Sequence, residues 1–243
     1  MELADRVAVV TGGARRVGRA IALALARERS RLVVHYNTSA AEAEATVAEA
    51  RASGAMAIAL RADLTDRAAI AALFRAADDA FGGVDILVNS AAILEPGDLL
   101  TASESDWERT IGLNLRGAFF CLQEAAVRMK RRGGGAVVNI SDVAGRRPWG
   151  RYPIHSISKA GVEMLTRVAA LALAPEIRVA AVAPGPVLKP DRMSPERWSE
   201  IGAALPLRRG GTPDDVARAV IFLLRNDFIT GVSLPVDGGD ELA

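Results

Sequence analysis

Short apolar segments rich in valine, isoleucine and leucine recur along the chain, and longer alanine-rich stretches separate them. The apolar segments cover residues 7–10, 32–34, 57–60, 86–88, 136–140 and 178–183. Nearly continuous apolar strands that alternate with helices are typical of a parallel sheet covered by helices on both faces. The sequence "GVSLPVDGG" predicts one more strand at an edge of the sheet, where Pro235 needs no amide donor. The pattern predicts a doubly wound α/β fold with about seven strands.

Capping signals mark the ends of two of the predicted helices. One helix is predicted over residues 38–52, with its first two residues, a threonine and a serine, as capping groups. A longer helix begins at Ser103 or Ser105 and runs to about Arg132, where three glycines end it. No linker or internal repeat divides the chain, so we predict a single domain over residues 1–243.

Composition and charge exclude several classes of partner. Half of the 243 residues are hydrophobic, and 30 basic against 29 acidic residues give a net charge of +1. Such a balance offers no general attraction for nucleic acid or for an anionic membrane. No apolar run approaches the roughly 20 residues that span a bilayer, and the charged N-terminal segment has no signal-peptide pattern. We expect a cytoplasmic protein that acts on a small molecule, without nucleic acid or membrane partners.

The segment "TGGARRVG" lies directly after the first predicted strand and leads into a helix. Glycines at such a turn allow the backbone to approach a pyrophosphate, and the amides of the helix start attract it. Gly12 and Gly18 fit a Gly-x-x-x-Gly-x-Gly spacing, in which Arg16 replaces the middle glycine. We therefore predict a Rossmann-type dinucleotide site, although a simple tight turn is the alternative.

The end of the second strand, "VVHYNTSAA", bears on the choice of cofactor. Dinucleotide sites that prefer NAD place a carboxylate here for the ribose 2′-hydroxyl, and this segment has none. Thr38, Ser39 and the helix start that they precede can bind a 2′-phosphate, and Arg15 can add positive charge. We therefore predict NADP(H) in preference to NAD(H). The same polar residues can also serve only as helix caps.

Several motifs in a fixed order carry a resemblance that covers nearly the whole chain. They are "TGGARRVG", "ADL" at 62–64, "LVNSAA" at 87–92, "LN" at 113–114, His155 with Lys159, "APGPV" at 183–187 and "VDGG" at 236–239. With this set the chain resembles the short-chain dehydrogenase/reductase family. Within that family it is most similar to the pteridine reductases, which also carry an arginine in the glycine loop, a "HYNTS"-like segment and an aspartate at the position of Asp142.

The resemblance implies roles for particular residues of this sequence. The implied cofactor-binding residues are Gly12, Arg15, Arg16, Val17, Gly18, His35, Tyr36, Asn37, Thr38, Ser39, Asp63, Leu64, Asn89, Ser90, Ala91, Lys159, Pro184, Gly185 and Val187. The implied catalytic set is Asp142, His155, Lys159 and Asn114, with Asn114 supporting Lys159. The resemblance also implies a homotetramer in which helices at about 106–130 and 156–172 pack across subunits.

Two residues depart from the pattern of the pteridine reductases. Leu94 stands where they place an aromatic residue that stacks on the pterin, and His155 stands at the position of the catalytic tyrosine. His155 and Lys159, four residues apart, share one helix face. The charge of Lys159 disfavours an imidazolium at 155, whereas a carboxylate at Asp142 favours it. Which charge dominates stays open, and so do a neutral His155 without catalytic duty and an Asp142 that only forms a turn.

These features lead to one leading hypothesis and two alternatives. The leading one is an NADPH-dependent reductase that delivers hydride to a small planar carbonyl or imine, with dihydropterins as a candidate class. The first alternative is a non-catalytic NADP(H)-binding protein, a sensor or assembly partner. The second is a dehydrogenase of sugar or acyl substrates. His35 and His155, the two histidines, lie at different parts of the predicted cleft, so no metal site is predicted.

Overall fold

Seven parallel strands form one sheet in this computed structural model, which describes residues 1–190 and 193–243. The strands are β1 (Val7–Thr11), β2 (Arg31–Tyr36), β3 (Ala57–Arg61), β4 (Ile86–Asn89), β5 (Gly135–Ile140), β6 (Ile177–Pro184) and β7 (Ser233–Val236). Their order across the sheet is β3-β2-β1-β4-β5-β6-β7. The chain thus turns to the other side of β1 after β3, which makes the sheet doubly wound, as predicted. Pro235 lies in the edge strand β7, where it is tolerated.

Helices cover both faces of the sheet. They are α1 (Arg16–Arg27), α2 (Ala40–Ala52), α3 (Arg67–Phe81), α4 (Glu104–Ile111), α5 (Ala118–Arg131), α6 (Pro153–Leu173), α7 (Pro195–Ala204) and α8 (Pro213–Arg225). Alternate residues of a strand point to opposite faces, so Ala8 and Val10 join a core with α1, α2 and α8. Val9 joins the other core, with α3, α5 and α6.

The helix predicted over residues 38–52 begins two residues later, at Ala40. Ser39 is the N-cap residue, but its side chain makes no capping hydrogen bond, so the predicted capping by that side chain is wrong. The helix ends at Ala52 before Gly54, whose φ of +91° is the left-handed conformation that glycine adopts without strain.

The long helix predicted from Ser103 or Ser105 is interrupted. Ser103 begins it, through a capping box in which its side chain accepts from the Asp106 amide and Asp106 accepts from the Ser103 amide. Between α4 and α5 the backbone forms a π-helix over Gly112–Gly117. At Gly117 an added Cβ would lie 2.8 Å from the Leu64 carbonyl oxygen, so glycine lets this turn pack closely on the loop after β3. The π-helix contains Asn114.

In the parts of the chain that the structure describes, no helix combines the length and apolar character needed to cross a membrane.

Candidate active site

A cleft of about 900 Å³ opens at the carboxyl ends of the parallel strands. Loops that follow β1, β2, β4, β5 and β6 line it, because parallel strands direct their carboxyl ends to one edge of the sheet. Most of the predicted cofactor residues lie on its wall: Gly12, Arg15, Arg16, Val17, Gly18, His35, Tyr36, Asn37, Thr38, Ser39, Leu64, Ser90, Ala91, Lys159, Pro184, Gly185 and Val187. Of the predicted catalytic residues, Asp142, His155 and Lys159 also line it.

The glycine loop after β1 is a backbone cradle. Gly12 has a φ of +64°, and a Cβ added there would lie 2.9 Å from Cα of Ala91. A Cβ on Gly18 would lie 2.2 Å from the carbonyl oxygen of Gly12. Only glycine fits at either position, and α1 begins within the loop at Arg16. The cradle at a helix start fits the pyrophosphate of a dinucleotide.

Arg16 keeps the backbone conformation of the glycine that it replaces. Its φ is +54°, in the left-handed region that most side chains avoid. Its neighbour Arg15 is more than half exposed, and its Nη1 lies 3.9 Å from Oε1 of Glu42. The "VVHYNTSAA" segment itself contains no carboxylate, but the fold brings Glu42 to this arginine from the first turn of α2. Glu42 itself does not line the cleft, whereas both arginines do.

His35 fixes the glycine loop to the neighbouring strands. Its Nδ1 accepts from the Gly12 amide at 3.0 Å, so the ring proton is on Nε2, which donates to the Ala62 carbonyl at 3.0 Å. The side chain is buried, and burial lowers its pKa to about 4 against opposing effects of the Ala62 hydrogen bond and the charge of Asp63. A neutral His35 is therefore an internal brace of the loop as well as part of the cleft wall.

Two predicted cofactor residues do not line the cleft. Asp63 accepts from the amide and hydroxyl of Thr65, and these hydrogen bonds lower the pKa of its carboxyl. Asn89 is buried beneath the cleft, where its amide donates to the Ala118 carbonyl and to Oδ1 of Asn139. Neither side chain lines the described cleft, and their predicted contacts with a cofactor stay predictions.

His155 lies in the first turn of α6 and is only 3% exposed. Its Nδ1 is 3.1 Å from the carbonyl oxygen of Ile93, which can only accept, so Nδ1 carries a proton. Its Nε2 has no hydrogen-bond partner among the described residues, and Oδ2 of Asp142 is 3.6 Å from it. Nε2 is therefore the ring atom whose hydrogen-bonding capacity is unused among the described residues.

Asp142 has two contacts with different functions. Its Oδ1 accepts from the Ala144 amide at 2.8 Å and caps a short 3₁₀ turn over Val143–Gly145. Its Oδ2 faces His155. The turn-forming contact is thus present, and the second carboxylate oxygen leaves the charge-stabilising interpretation as a prediction.

Lys159 lies one helical turn after His155 and is 4% exposed. Its Nζ donates to the Ile140 carbonyl at 2.8 Å, at the end of β5. Burial lowers the pKa of this amine, and the charges of Asp142 and Glu163 oppose the change. An ammonium has three donors, so two remain after the bond to Ile140.

Asn114 does not contact Lys159 directly. From the π-helix its Nδ2 donates to the Ile93 carbonyl at 3.0 Å and to the Ser158 hydroxyl at 3.1 Å, while its Oδ1 accepts from the Ile93 amide at 2.9 Å. The Ile93 carbonyl is also the partner of His155. Asn114 therefore lies outside the cleft wall and shares Ile93 as a hydrogen-bond partner with His155, while its support of Lys159, often through a water, stays a prediction.

Residues that were not predicted from the sequence also line the cleft. Trp149 stacks on His155, with ring centroids 6.4 Å apart and an angle of 17° between the planes. Trp198 and Asp240 line the same cleft, as do Tyr152 and the predicted Leu94. Trp149, Trp198 and Asp240 follow β5, β6 and β7 respectively. Their position after the carboxyl ends of parallel strands is the signal that could have found them.

Within residues 1–190 and 193–243, no group of three or more histidine, cysteine, aspartate or glutamate residues is placed to hold a metal ion.

Comparisons with known proteins give consistent matches. A family described as enoyl-(acyl carrier protein) reductase matches residues 12–240. A galactitol 2-dehydrogenase of Agrobacterium fabrum is 35% identical, over 100% of this chain and 100% of that protein. A 3-oxoacyl acyl-carrier-protein reductase of Staphylococcus aureus is 38% identical, over 96% of each. A solved structure of a doubly mutated short-chain dehydrogenase/reductase from Serratia marcescens has a TM-score of 0.92 and 33% identity, over 99% of this chain and 100% of that chain.

Proposed function

Because the chain belongs to the short-chain dehydrogenase/reductase family, we propose that it is an NADPH-dependent reductase of small planar carbonyl or imine compounds, with dihydropterins as a candidate class. The observation that carries the proposal is the buried His155, whose Nε2 is unpartnered among the described residues and faces Asp142 in the cleft. A proton-exchanging atom is thereby held at the wall of a dinucleotide-sized cleft.

The proposed cofactor site uses the glycine cradle and the end of β2. Gly12, Gly18 and the start of α1 would hold the pyrophosphate. Ser39 and Arg15 would bind the 2′-phosphate, which is supported by the absence of a carboxylate from the described cleft wall at this end. Lys159 would hold the ribose hydroxyls. When bound, the nicotinamide supplies a hydride to the electrophilic carbon of the substrate.

The proposed role of His155 is to deliver the proton that balances the hydride. Its Nε2 gives a proton to the substrate oxygen or nitrogen, so that an alcohol or amine forms. Asp142 stabilises the imidazolium that this step needs, while Ile93 holds Nδ1 and fixes the ring. Trp149 covers one face of the ring and offers an aromatic surface to a planar substrate. An aromatic wall residue therefore exists even though Leu94 cannot stack.

A second candidate function, oxidation of an alcohol group such as that of a sugar, is favoured by the same histidine. With its proton on Nδ1, a neutral His155 presents a lone pair at Nε2, and a lone pair accepts the proton of a substrate hydroxyl. The galactitol 2-dehydrogenase among the relatives is consistent with this direction. The two directions differ in the protonation state of His155 that they need.

Steady-state kinetics of the unmodified protein tests the proposal. NADPH oxidation would be followed with dihydropterins, quinones and simple carbonyls, and NADP⁺ reduction with polyols, each from pH 5 to 9 and with NADH or NAD⁺ as control. We expect NADPH oxidation that falls as pH rises, because the imidazolium is lost. Turnover only with polyols and NADP⁺, rising with pH, would favour the second function.

His155→Tyr and His155→Phe distinguish an enzyme from a non-catalytic NADP(H)-binding protein. If His155 delivers the proton, we expect both variants to lose NADPH oxidation. If the unmodified protein binds NADPH without turnover and His155→Tyr creates activity, the protein is a sensor or assembly partner and the proposal is wrong.

A homotetramer and a cytoplasmic location are further expectations. The homotetramer that the family resemblance implies is supported by large apolar side chains exposed on α5 and α6, namely Phe119, Val127, Ile157, Met164, Val168 and Leu171. Light scattering coupled to size exclusion would give the mass of the assembly, and Val168→Glu would be expected to reduce it. The cytoplasmic location stays a prediction from the sequence.

A further inference from the structure

The last residues of the chain form a strap at the cleft. This C-terminal strap, residues 237–243, follows β7 and contains a short 3₁₀ turn over Asp240–Leu242. Asp237 folds it, because one carboxylate oxygen accepts from the Gly239 amide at 2.9 Å and the other from the Glu241 amide at 2.9 Å. Asp240 is directed to the cleft and lines its wall.

Two arginines join the strap to the loop that follows Asp142. Arg147 donates to the backbone carbonyl of Asp240 at 2.6 Å and to its Oδ1 at 3.3 Å. Arg146 donates to both carboxylate oxygens of Glu241 at 3.1 Å. The strap is therefore held against the segment that carries Asp142, and the contact through the Asp240 backbone does not depend on the Asp240 side chain.

The strap brings a second carboxylate to the acid–base end of the cleft. Asp142 and Asp240 are the acidic residues of the described cleft wall. Burial raises the pKa of Asp240, the charges of Asp237 and Asp142 raise it further, and Arg147 opposes them. Both carboxylates line the one cleft, and Arg147 from the loop after Asp142 contacts Asp240, so a positively charged or hydrogen-donating ligand in this region would meet both carboxylates.

A buried, unsatisfied atom points to the same place independently. The His155 side chain is only 3% exposed, and its Nε2 lacks a hydrogen-bond partner in the described part of the chain. Trp149, Tyr152 and Trp198 line the same cleft as His155. Aromatic faces attract cations as well as planar groups, so the walls and the carboxylates favour the same ligand chemistry.

We infer that Asp240 is a specificity-determining residue, which with Asp142 forms a two-carboxylate subsite beside His155 for substrates that carry a cationic or donor-rich group near the reacting carbon. The inference rests on the proposed function, since it assigns the substrate class of the same site. Anionic substrates meet two like charges and are rejected, which is selection by repulsion as well as by attraction.

Binding of three aldehydes that differ in charge tests the subsite without requiring turnover. The probes are 4-(trimethylammonio)benzaldehyde, benzaldehyde and 4-carboxybenzaldehyde, titrated by calorimetry into the protein saturated with NADP⁺. We expect the cation to bind at least about tenfold more tightly than the anion, a ratio that corresponds to two modest charge interactions. In Asp240→Asn this ratio should fall by about threefold or more, because one of the two charges is removed.

Glu241→Gln is the matched control. It removes one negative charge from the strap and weakens the contact with Arg146, but Glu241 does not line the cleft. We expect its cation-to-anion ratio to equal that of the unmodified protein. Circular dichroism and thermal melting of both variants would verify that each is folded. Equal changes in the two variants would mean that Asp240 acts only by docking the strap, and would overturn the inference.

The remaining outcomes separate the inference from the proposed function. A missing preference for the cation in the unmodified protein, or no measurable binding of any probe, overturns the inference. Reduction of benzaldehyde by NADPH is followed in a parallel assay. If that reduction occurs while Asp240→Asn leaves the binding ratio unchanged, the function stands and the inference fails. If the charge preference depends on Asp240 but no carbonyl is reduced, the subsite stands and the proposed reduction fails.

Discussion

The Nδ1 atom of His35 accepts the amide proton of Gly12 at 3.0 Å, so a side chain from β2 holds the backbone of the phosphate cradle. An acceptor is needed for this contact, and only the neutral ring provides one. The conformation of the cradle is thereby linked to the protonation state of one buried histidine.

The first prediction follows from that link. The pKa of His35 falls from 6.5 to about 4 on folding, so between these values the unfolded chain binds the extra proton. Stability gained from the neutral ring is complete above pH 6.5 and is lost as pH falls towards 4, by about 3 kcal/mol in total. Urea unfolding of the protein and of His35→Asn at pH 7 and pH 4.5 would measure this. The variant, which does not titrate, should lack this part of the pH dependence.

Arg16 provides the second prediction. Its φ of +54° is strained for arginine and free for glycine, so Arg16→Gly should be about 1 kcal/mol more stable than Arg16→Ala. Both variants lose the guanidinium and every contact it makes, so the difference between them isolates the backbone. Both should bind NADPH more weakly than the unmodified protein. Equal urea midpoints for the two variants would show that the left-handed conformation is not maintained in solution.

Ser39 provides the third prediction, on cofactor choice. A carboxylate at the start of α2 would repel a 2′-phosphate and accept hydrogen bonds from a 2′-hydroxyl. We expect Ser39→Asp to weaken NADPH binding by about tenfold or more and to strengthen NADH binding, as measured by nucleotide fluorescence. Ser39→Ala is the control and should weaken NADPH binding less, without a gain for NADH. An unchanged preference in Ser39→Asp would place the 2′-phosphate elsewhere.

Asn114 provides the fourth prediction. Since it holds Ile93, whose carbonyl fixes His155, Asn114→Ala should lower kcat by about tenfold while KM for NADPH stays nearly constant. The pH profile should also broaden or move, because the ring is less firmly oriented. Ser158→Ala removes another Asn114 contact and a hydrogen bond to the His155 backbone carbonyl, but it leaves the contact between Asn114 and Ile93, so that profile should stay in place. A parallel loss in both variants, with an unchanged profile, would indicate a structural role alone.

Much of the fold was predictable because its signals are local. Apolar runs indicated where the strands lie, and the alternation of strands and helices indicated parallel pairing with two helical layers. The glycine loop was identified from the spacing of Gly12 and Gly18. In the structure, each of these positions has a steric reason to be glycine. The π-helix at Gly112–Gly117 was missed, since the sequence around it has the periodicity of an ordinary helix.

The partners within the site were harder to predict because they depend on distant segments. Asn114 meets Ile93 only when the π-helix lies beside the loop after β4, and His35 meets Gly12 only through the pairing of β1 with β2. Asn89 has the residue type of a cofactor contact, yet its Nδ2 donates to neighbours on β5 and α5, and it does not line the cleft. Residue type thus identified the region, and tertiary contacts assigned the partners.

The stacking of Trp149 on His155 also gives the cleft an optical reporter. An imidazolium quenches the fluorescence of an adjacent indole more strongly than a neutral imidazole does. The chain has three tryptophans, of which this one is stacked on the histidine, with ring centroids 6.4 Å apart. A change of charge or position at His155 is therefore expected to alter the emission of Trp149, over the background of the other two tryptophans, before any substrate has been identified.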